Sequence, residues 1–241
     1  MAEKLRQNAE NAIKKKSVFL KIVHKSGLLL ILIALMILAS ILSPKFLTYK
    51  NLFNILRQIS ILGVLAVGMT FVIISNGIDL SVGNVLSLSC VLVPLVAPLV
   101  NNNIFLICLI CIAAGALMGT CTGTLISYGG MQPFMATFGM MTIAEGLAFM
   151  LSGGRPIIMS DTRWTAFGNG STAGLPNLAI IFIVIVLLGQ FVISKTLYGV
   201  NTYAIGNNDV ATRLCGINTK RTRLFAYIIS GALAAVGGLL M

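Results

Sequence analysis

Residues 68–83 read GMTFVIISNGIDLSVG, a mostly apolar run that ends in a glycine-flanked acidic turn and restarts as a second apolar run at Val82. Asp79 in this turn is one of only six acidic residues in the chain, and hydrophobic segments lie on both sides of it. A carboxylate beside hydrocarbon is costly unless it is solvated, capped or paired. The turn is therefore a candidate functional element, and the rest of the chain is interpreted as its scaffold.

The composition indicates a membrane protein. Hydrophobic residues make up 57% of the 241 residues and charged residues only 10%, whereas a soluble domain is about one quarter charged. Repeated apolar runs approach the roughly 20 residues that a helix needs to cross a bilayer. Because these runs are continuous rather than alternating, they exclude a barrel, and the sequence predicts an all-α, polytopic helical membrane protein.

About seven spans are expected within a single transmembrane domain, residues 27–241, which follows a basic tail, residues 1–26. A short helix at residues 51–57 is expected to lie at the membrane interface before the second span. Gly115, Gly119 and Gly123 repeat every four residues, which favours close helix packing over a ligand role. The predicted spans are 28–42, 59–75, 82–100, 104–126, 133–151, 178–194 and 225–241.

The basic residues predict the orientation of the chain. The net charge is +11, and seven of the seventeen lysines and arginines lie within the first 25 residues. Five more lie between Lys195 and Arg223. This distribution is typical of cytoplasmic flanks and not of a nucleic-acid-binding face. It predicts a cytoplasmic N-terminus and cytoplasmic segments at 76–81, 127–132 and 195–224, although Lys45, Lys50 and Arg57 would then lie outside.

The sequence offers no constellation for catalysis or for a cofactor. Cys108 and Cys111 have the spacing of half a metal site, but no second pair follows and His24 is the only histidine. Packing cysteines are the preferred interpretation, so no metal ligands are predicted. There is no phosphate-binding loop of the type that binds ATP and no serine–histidine–aspartate set. No catalytic residue and no cofactor are therefore predicted.

Two polar segments remain as candidate sites. The first is the turn, for which helix capping by Asp79 or Ser81 and a functional role are compatible alternatives. Its candidate residues are Gly77, Asp79, Leu80, Ser81 and Gly83.

The second segment runs from residue 206 to residue 218. It predicts a short helix at about 209–214, begun by an Asn/Asp cap and ended by Gly216. A docking surface for a cytoplasmic partner and a solvated linker are the alternatives. Its candidate residues are Gly206, Asn207, Asn208, Asp209, Arg213, Gly216, Ile217 and Asn218.

Glu145 lies inside the fifth predicted span. A polar contact between helices is the preferred interpretation. A place along a solute path and a proton relay are the alternatives.

The two segments resemble a known family. GMTFVIISNGIDLSVGNVLSL at 68–88 and GNNDVATRLCGINTKRTRLFAYIISGALAAVGGLL at 206–240 are similar to the permease subunits of bacterial ribose-type ABC sugar importers, which include xylose, arabinose, galactose and autoinducer-2 permeases. SPKFLTYKNLFNILRQIS at 43–60 fits the same family. The resemblance extends from about Gly27 to Met241.

The resemblance implies a non-catalytic, multi-pass subunit of the bacterial cytoplasmic membrane that imports a monosaccharide or related small polar solute. Its implied partners are a cytoplasmic ABC ATPase, an extracytoplasmic sugar-binding protein and a second permease copy or paralogue. The loop 195–224 would supply the coupling helices that dock into the ATPase. The family continues beyond the position of Met241, so a C-terminally truncated chain is expected.

The alternative class is a secondary transporter driven by protons or other ions through Asp79 and Glu145. The sequence leaves open which sugar is carried, which residues line the path, and whether the two permeases are identical.

Overall fold

The structure, a computed structural model, describes residues 27–157, 159, 163–164, 168, 170–172 and 174–241. The predicted basic tail, residues 1–26, lies outside the described residues. The chain forms two compact units, divided between Asn54 and Ile55. The described part of the first unit contains helix α1, Gly27–Leu42, and the start of helix α2.

Helices make up nearly all of the second unit. Six helices in the described part of the chain are long and apolar enough to cross a membrane, whereas α1 is shorter. The helices from α2 onward are α2 Tyr49–Ile74, α3 Val82–Val96, α4 Ile104–Ser127, α5 Pro133–Ser152, α6 Asn177–Lys195, α7 Leu197–Asn207, α8 Asp209–Leu214 and α9 Thr219–Leu240. A 3₁₀ turn, Ala97–Val100, extends α3, and strands β1 (Ser171–Thr172) and β2 (Leu175–Pro176) form an antiparallel pair.

Two predicted boundaries are wrong. The short helix at 51–57 and the span at 59–75 are one continuous helix, α2, because no proline or glycine separates them. The last span begins at Thr219 and not at residue 225, since the Asn218 side chain accepts a hydrogen bond from the Arg221 backbone N–H, 3.0 Å, and caps the helix there. The basic residues 220–223 therefore belong to the first turns of α9.

Helix α9 is the centre of the second unit. Half of the residues in its most apolar 18-residue stretch are buried. In each of the other five long helices of the described chain, the buried share of that stretch is one third or less. Val85 of α3, Ala144 of α5 and Ala234 of α9 form one buried cluster. The hydroxyl of Ser89 on α3 donates to the carbonyl oxygen of Ala235, 2.9 Å. Apolar contacts and hydrogen bonds thus hold α9 against its neighbours.

The predicted glycine face of α4 packs on α9. A Cβ added at Gly119 would contact the carbonyl oxygen of Tyr227, and one added at Gly115 would contact that of Gly231. Conversely, a Cβ at Gly231 would meet the backbone nitrogen of Gly119 at 3.0 Å and contact the carbonyl oxygen of Gly115. Because no side chain separates the two backbones, the helices approach as closely as small-residue packing allows. The packing interpretation of Gly115 and Gly119 is confirmed.

We expect Gly119→Ala to destabilise the protein, because the added methyl group would force α4 and α9 apart. Overpacking of this kind costs about 1–3 kcal/mol, so the thermal midpoint of the detergent-purified protein should fall by several degrees. Gly139→Ala on α5 is the matched control, since a Cβ there meets nothing within 4 Å. Equal midpoints for the two variants would contradict the close contact.

Candidate functional site

Asp79 lies in the turn between α2 and α3 and is almost fully buried, with 3% of its surface exposed. Its Oδ1 accepts hydrogen bonds from the backbone N–H of Ser81, 3.0 Å, and from the Ser81 hydroxyl, 2.6 Å. Its Oδ2 accepts a hydrogen bond from the hydroxyl of Ser230 on α9, 2.8 Å. The carboxylate therefore joins the turn to the central helix.

The observed hydrogen bonds of the turn differ from the expected helix cap. Asp79 bonds to Ser81, the N-cap residue of α3, and not to the first amides of that helix. Ser81 itself makes no side-chain cap bond. The reason is geometric: the Ser81 hydroxyl donates to Asp79 and the other carboxylate oxygen is turned toward α9. The local role of Asp79 is thus a tertiary contact as well as a turn.

Tyr227 fixes the same turn from α9. Its ring is fully buried, and its hydroxyl donates to the carbonyl oxygen of Ile78, 3.2 Å. A Cβ at Gly77 would lie 2.6 Å from that hydroxyl, so the turn can approach Tyr227 only with glycine at this position. The other two candidate residues of the turn lie apart from this cluster: Leu80 is 37% exposed and a Cβ at Gly83 would meet nothing within 4 Å.

The second candidate segment, residues 206–218, contains the end of α7 and all of α8. We call residues 197–218 the α7–α8 hairpin. The predicted helix at 209–214 is confirmed, as is its cap, because the Asn208 side chain accepts from the Ala211 N–H at 3.0 Å. Gly216 follows the helix with a φ of +83°, a left-handed conformation that favours glycine. Its predicted role in ending the helix is also confirmed.

Charged side chains connect the hairpin to α9. Asp209 pairs with Arg213 on its own helix at 3.0 Å and with Arg223 of α9 at 3.5 Å. The Arg213 side chain is 61% exposed, so the pair within α8 contributes little to stability. Arg223 is only 21% exposed and sets the position of α8 on the bundle.

The outer face of the hairpin combines apolar side chains with the basic Arg213. Val210 is 68% exposed and Leu214 is 85% exposed, whereas Thr212 on the opposite side of α8 is buried. A six-residue helix that buries one polar residue and exposes two aliphatic ones does not form a core of its own. Such a surface is typical of a contact with another protein.

The two candidate segments lie beside each other. A Cβ at Gly206 would contact the carbonyl oxygen of Ile74, the last residue of α2 before the turn. The ring of Tyr198 on α7 stacks on Phe71 of α2 with centroids 6.2 Å apart, and its hydroxyl donates to the carbonyl oxygen of Thr222, 3.3 Å. Burial raises the pKa of Tyr198 to about 12, so this hydroxyl remains a donor at physiological pH.

Glu145 makes the polar contact between helices expected of it. The side-chain amide of Asn84 on α3 donates to Glu145 Oε2, 3.3 Å, and to the carbonyl oxygen of Met141, 3.0 Å. Glu145 is nevertheless exposed, unlike Asp79. The two carboxylates of the ion-coupled alternative thus differ: both oxygens of Asp79 accept hydrogen bonds from the protein, whereas Glu145 is open to its surroundings.

A cavity of about 640 Å³ lies toward the end of the bundle opposite the hairpin. Arg57, Gln58, Ser87 and Trp164 contribute polar groups to its lining. No group of three or more histidine, cysteine or acidic side chains suited to a metal ion occurs within the described ranges. Cys108 and Cys111 are free cysteines.

The sequence reasoning missed Ser230, Tyr227 and Asn84. Each stands in a hydrophobic span, where a single polar side chain is common and only a partner from another helix gives it a role. The three-residue spacing of Tyr227 and Ser230 places both on one helix face. That spacing is the one available signal in the sequence.

The chain matches, over residues 51–241, the family described as the permease component of the branched-chain amino acid transport system. The chain belongs to this permease family. This match and the chain's similarity to sugar import permeases confirm the resemblance identified from the two motifs, and with it a polytopic helical membrane protein. No solved structure matches the permease.

Named relatives specify what the permease is similar to. A ribose import permease of Haemophilus influenzae is 36% identical over 87% of this chain and 66% of its own length. One from Bacillus subtilis is 39% identical over 91% and 69%, respectively. A galactose/methyl galactoside import permease of Salmonella typhimurium is 34% identical over 95% and 74%. The chain thus spans about two thirds of the length of such relatives.

We expect Asp79→Ala and Ser230→Ala to show strong energetic coupling in a double-mutant cycle. Each single change leaves a buried group without its partner, at a cost of about 1–3 kcal/mol, and the double change should cost less than the sum. The free energy of unfolding in detergent is the measurement. Ser194→Ala is the control, because the Ser194 hydroxyl bonds only within α6, and additive effects of Asp79→Ala and Ser230→Ala would contradict the contact.

Proposed function

We propose that the protein is the membrane permease subunit of an ABC importer that carries a monosaccharide or a related small polar solute into the cytoplasm. Its family and the names of its relatives, which are ribose and galactose import permeases, support this function. The energy comes from ATP hydrolysis in a separate ATPase. An extracytoplasmic binding protein delivers the solute, and a second permease copy or paralogue completes the complex.

The exposed face of the α7–α8 hairpin is the observation that carries the proposal. Val210 and Leu214 project from α8 with no cover among the described residues, beside the exposed Arg213. In the proposed assembly this face docks into the ATPase. The candidate residues at 206–218 then have two roles, since some form the contact and Asn208, Gly216 and Asn218 shape the hairpin that presents it.

The proposed orientation follows from the docking. The hairpin end of the bundle faces the cytoplasm, together with the loop after α4. Tyr128 in that loop lies under the Lys220 ammonium, 5.6 Å from ring centroid to Nζ, which supports a common end for the loop and the first turn of α9. The basic residues Arg213, Lys220 and Arg221 at this end agree with the positive-inside rule. The N-terminal tail is then cytoplasmic as well.

Movement of the hairpin reaches the membrane spans through contacts of the described residues. Gly206 rests against the end of α2, and Arg223 joins α8 to α9. Asp79 and Tyr227 likewise join the α2–α3 turn to α9. A displacement of α8 by the ATPase would therefore shift α2, α3 and α9 together.

We expect Arg213→Glu and Gly216→Pro to uncouple ATP hydrolysis from uptake while the protein stays in the membrane. The first change reverses a charge on the docking face, and the second places proline where φ is +83°, which its ring cannot adopt. The measurement is uptake of radiolabelled ribose and galactose, and ATP hydrolysis, in vesicles that contain the whole complex. Asn102→Asp at the other end of the bundle is the control.

Normal uptake in both variants would reject the docking role. The driving force is tested separately in vesicles with a constant ATP supply: uptake that continues when an ionophore collapses the ion gradients supports the ABC importer. Loss of uptake under that condition would favour the secondary transporter.

A further inference from the structure

One outward face of the bundle is polar at membrane depth. We call it the polar strip, and it consists of Gly83, Asn84 and Ser87 on α3 with Glu145 on α5. Gly83, Ser87 and Glu145 are exposed and Asn84 is partly buried. Val85 and Ala144, their neighbours in the chain, are buried against Ala234 of α9, so α3 and α5 pack side by side with the strip on their outer side.

The depth of Glu145 makes this face unsuited to lipid. At 1.5 Å per residue, Glu145 lies about 18 Å from the start of α5 and about 10 Å from its end, well inside the hydrocarbon of a bilayer. Within the described part of the chain, Asn84 is its sole hydrogen-bond partner and no lysine or arginine pairs with it. A carboxylate there faces water or a polar partner, because exposure to lipid is expensive.

Another outward face of the same bundle provides the contrast. The exposed residues of α6 include Ile183, Leu187, Leu188 and Phe191, all apolar, as expected for contact with lipid tails. Helix α5 also exposes apolar residues toward its first turns, such as Phe134 and Met135. Gln190 on α6 is also exposed, but it is uncharged, whereas the strip carries the carboxylate of Glu145.

The strip continues into the cavity of about 640 Å³, since Ser87 belongs to both. That volume is within the range of small-molecule sites, about 300–1,000 Å³. The cavity adds Arg57, Gln58 and Trp164 to the strip, and its other lining residues are mostly apolar. Hydroxyl, amide, guanidinium, indole and carboxylate groups together match a solute with many hydroxyl groups.

Resting on the proposed function, we propose that the polar strip lines a water-filled solute path, in which Glu145 accepts hydrogen bonds from the hydroxyl groups of a neutral polyhydroxylated solute. Asn84 orients the carboxylate through its amide, and Ser87 connects this contact to the cavity. At the strip, the negative charge of Glu145 repels anionic solutes.

Thiol labelling tests the path without requiring transport. S87C is introduced into the complete protein after its five native cysteines have been replaced, and membrane vesicles are treated with cationic or anionic methanethiosulfonates. We expect S87C to react with both reagents, about tenfold faster with the cation after correction for the reagents' intrinsic rates. The matched control is L187C on α6, where the side chain is 64% exposed but faces lipid, and it should remain unreactive.

The second variant assigns the charge effect to Glu145. S87C/E145Q should react with both reagents at similar corrected rates, and ribose or galactose should slow the labelling of S87C several-fold. Uptake of the neutral sugar should fall about tenfold in E145Q and recover in part in E145D, because a charged acceptor forms the stronger hydrogen bond.

Three results would overturn the inference. S87C could be as unreactive as L187C, E145Q could leave the ratio of the two labelling rates unchanged, or S87C could form a disulfide between two copies without being labelled. The last result would make the strip a contact between permeases. Labelling needs no ATP, so the proposed function can fail in the ionophore experiment while the path is upheld, and the reverse also holds.

Discussion

The direct contact between the backbones of α4 and α9 is the constraint on which the rest of the second unit depends. Gly115, Gly119 and Gly231 carry no side chains at the crossing, so backbone carbonyl and amide groups of the two helices meet. In a membrane the hydrophobic effect does not drive helices together, and close van der Waals packing has to supply the attraction. Helix α9 is thereby fixed at the centre, where the remaining spans can pack on it.

Polar contacts then specify how the neighbours of α9 are placed. Ser89 donates to the α9 backbone within the bundle. The bonds of Asp79 to Ser230 and of Tyr227 to Ile78 join the α2–α3 turn to α9. These groups are buried, and a buried polar group without its partner is costly, so each bond favours one arrangement over the alternatives. The α7–α8 hairpin is attached to the same arrangement through Gly206 and Arg223. A contact made at the hairpin therefore reaches the turn and the central helix through few steps.

Asp79 and Glu145 illustrate how burial gives two carboxylates different roles. Asp79 has both oxygens occupied by donors from the protein and serves the structure. Glu145 has one long hydrogen bond of 3.3 Å and an exposed surface, which leaves acceptor capacity for water or a solute. The scaffold has to be satisfied internally, whereas the proposed path has to replace the hydration of its solute.

The sequence by itself determined the class of the protein, most of its spans and the short helix at Asp209–Leu214, because hydrophobic length, capping residues and glycine positions act locally along the chain. The four-residue spacing of Gly115 and Gly119 even predicted a packing face. Only the tertiary structure decided which helix meets that face, that Ser230 completes the Asp79 site, and that Glu145 points away from the bundle. The first two facts depend on contacts between residues more than a hundred positions apart, and the third depends on which surface the other helices leave exposed. No local pattern in the chain encodes them.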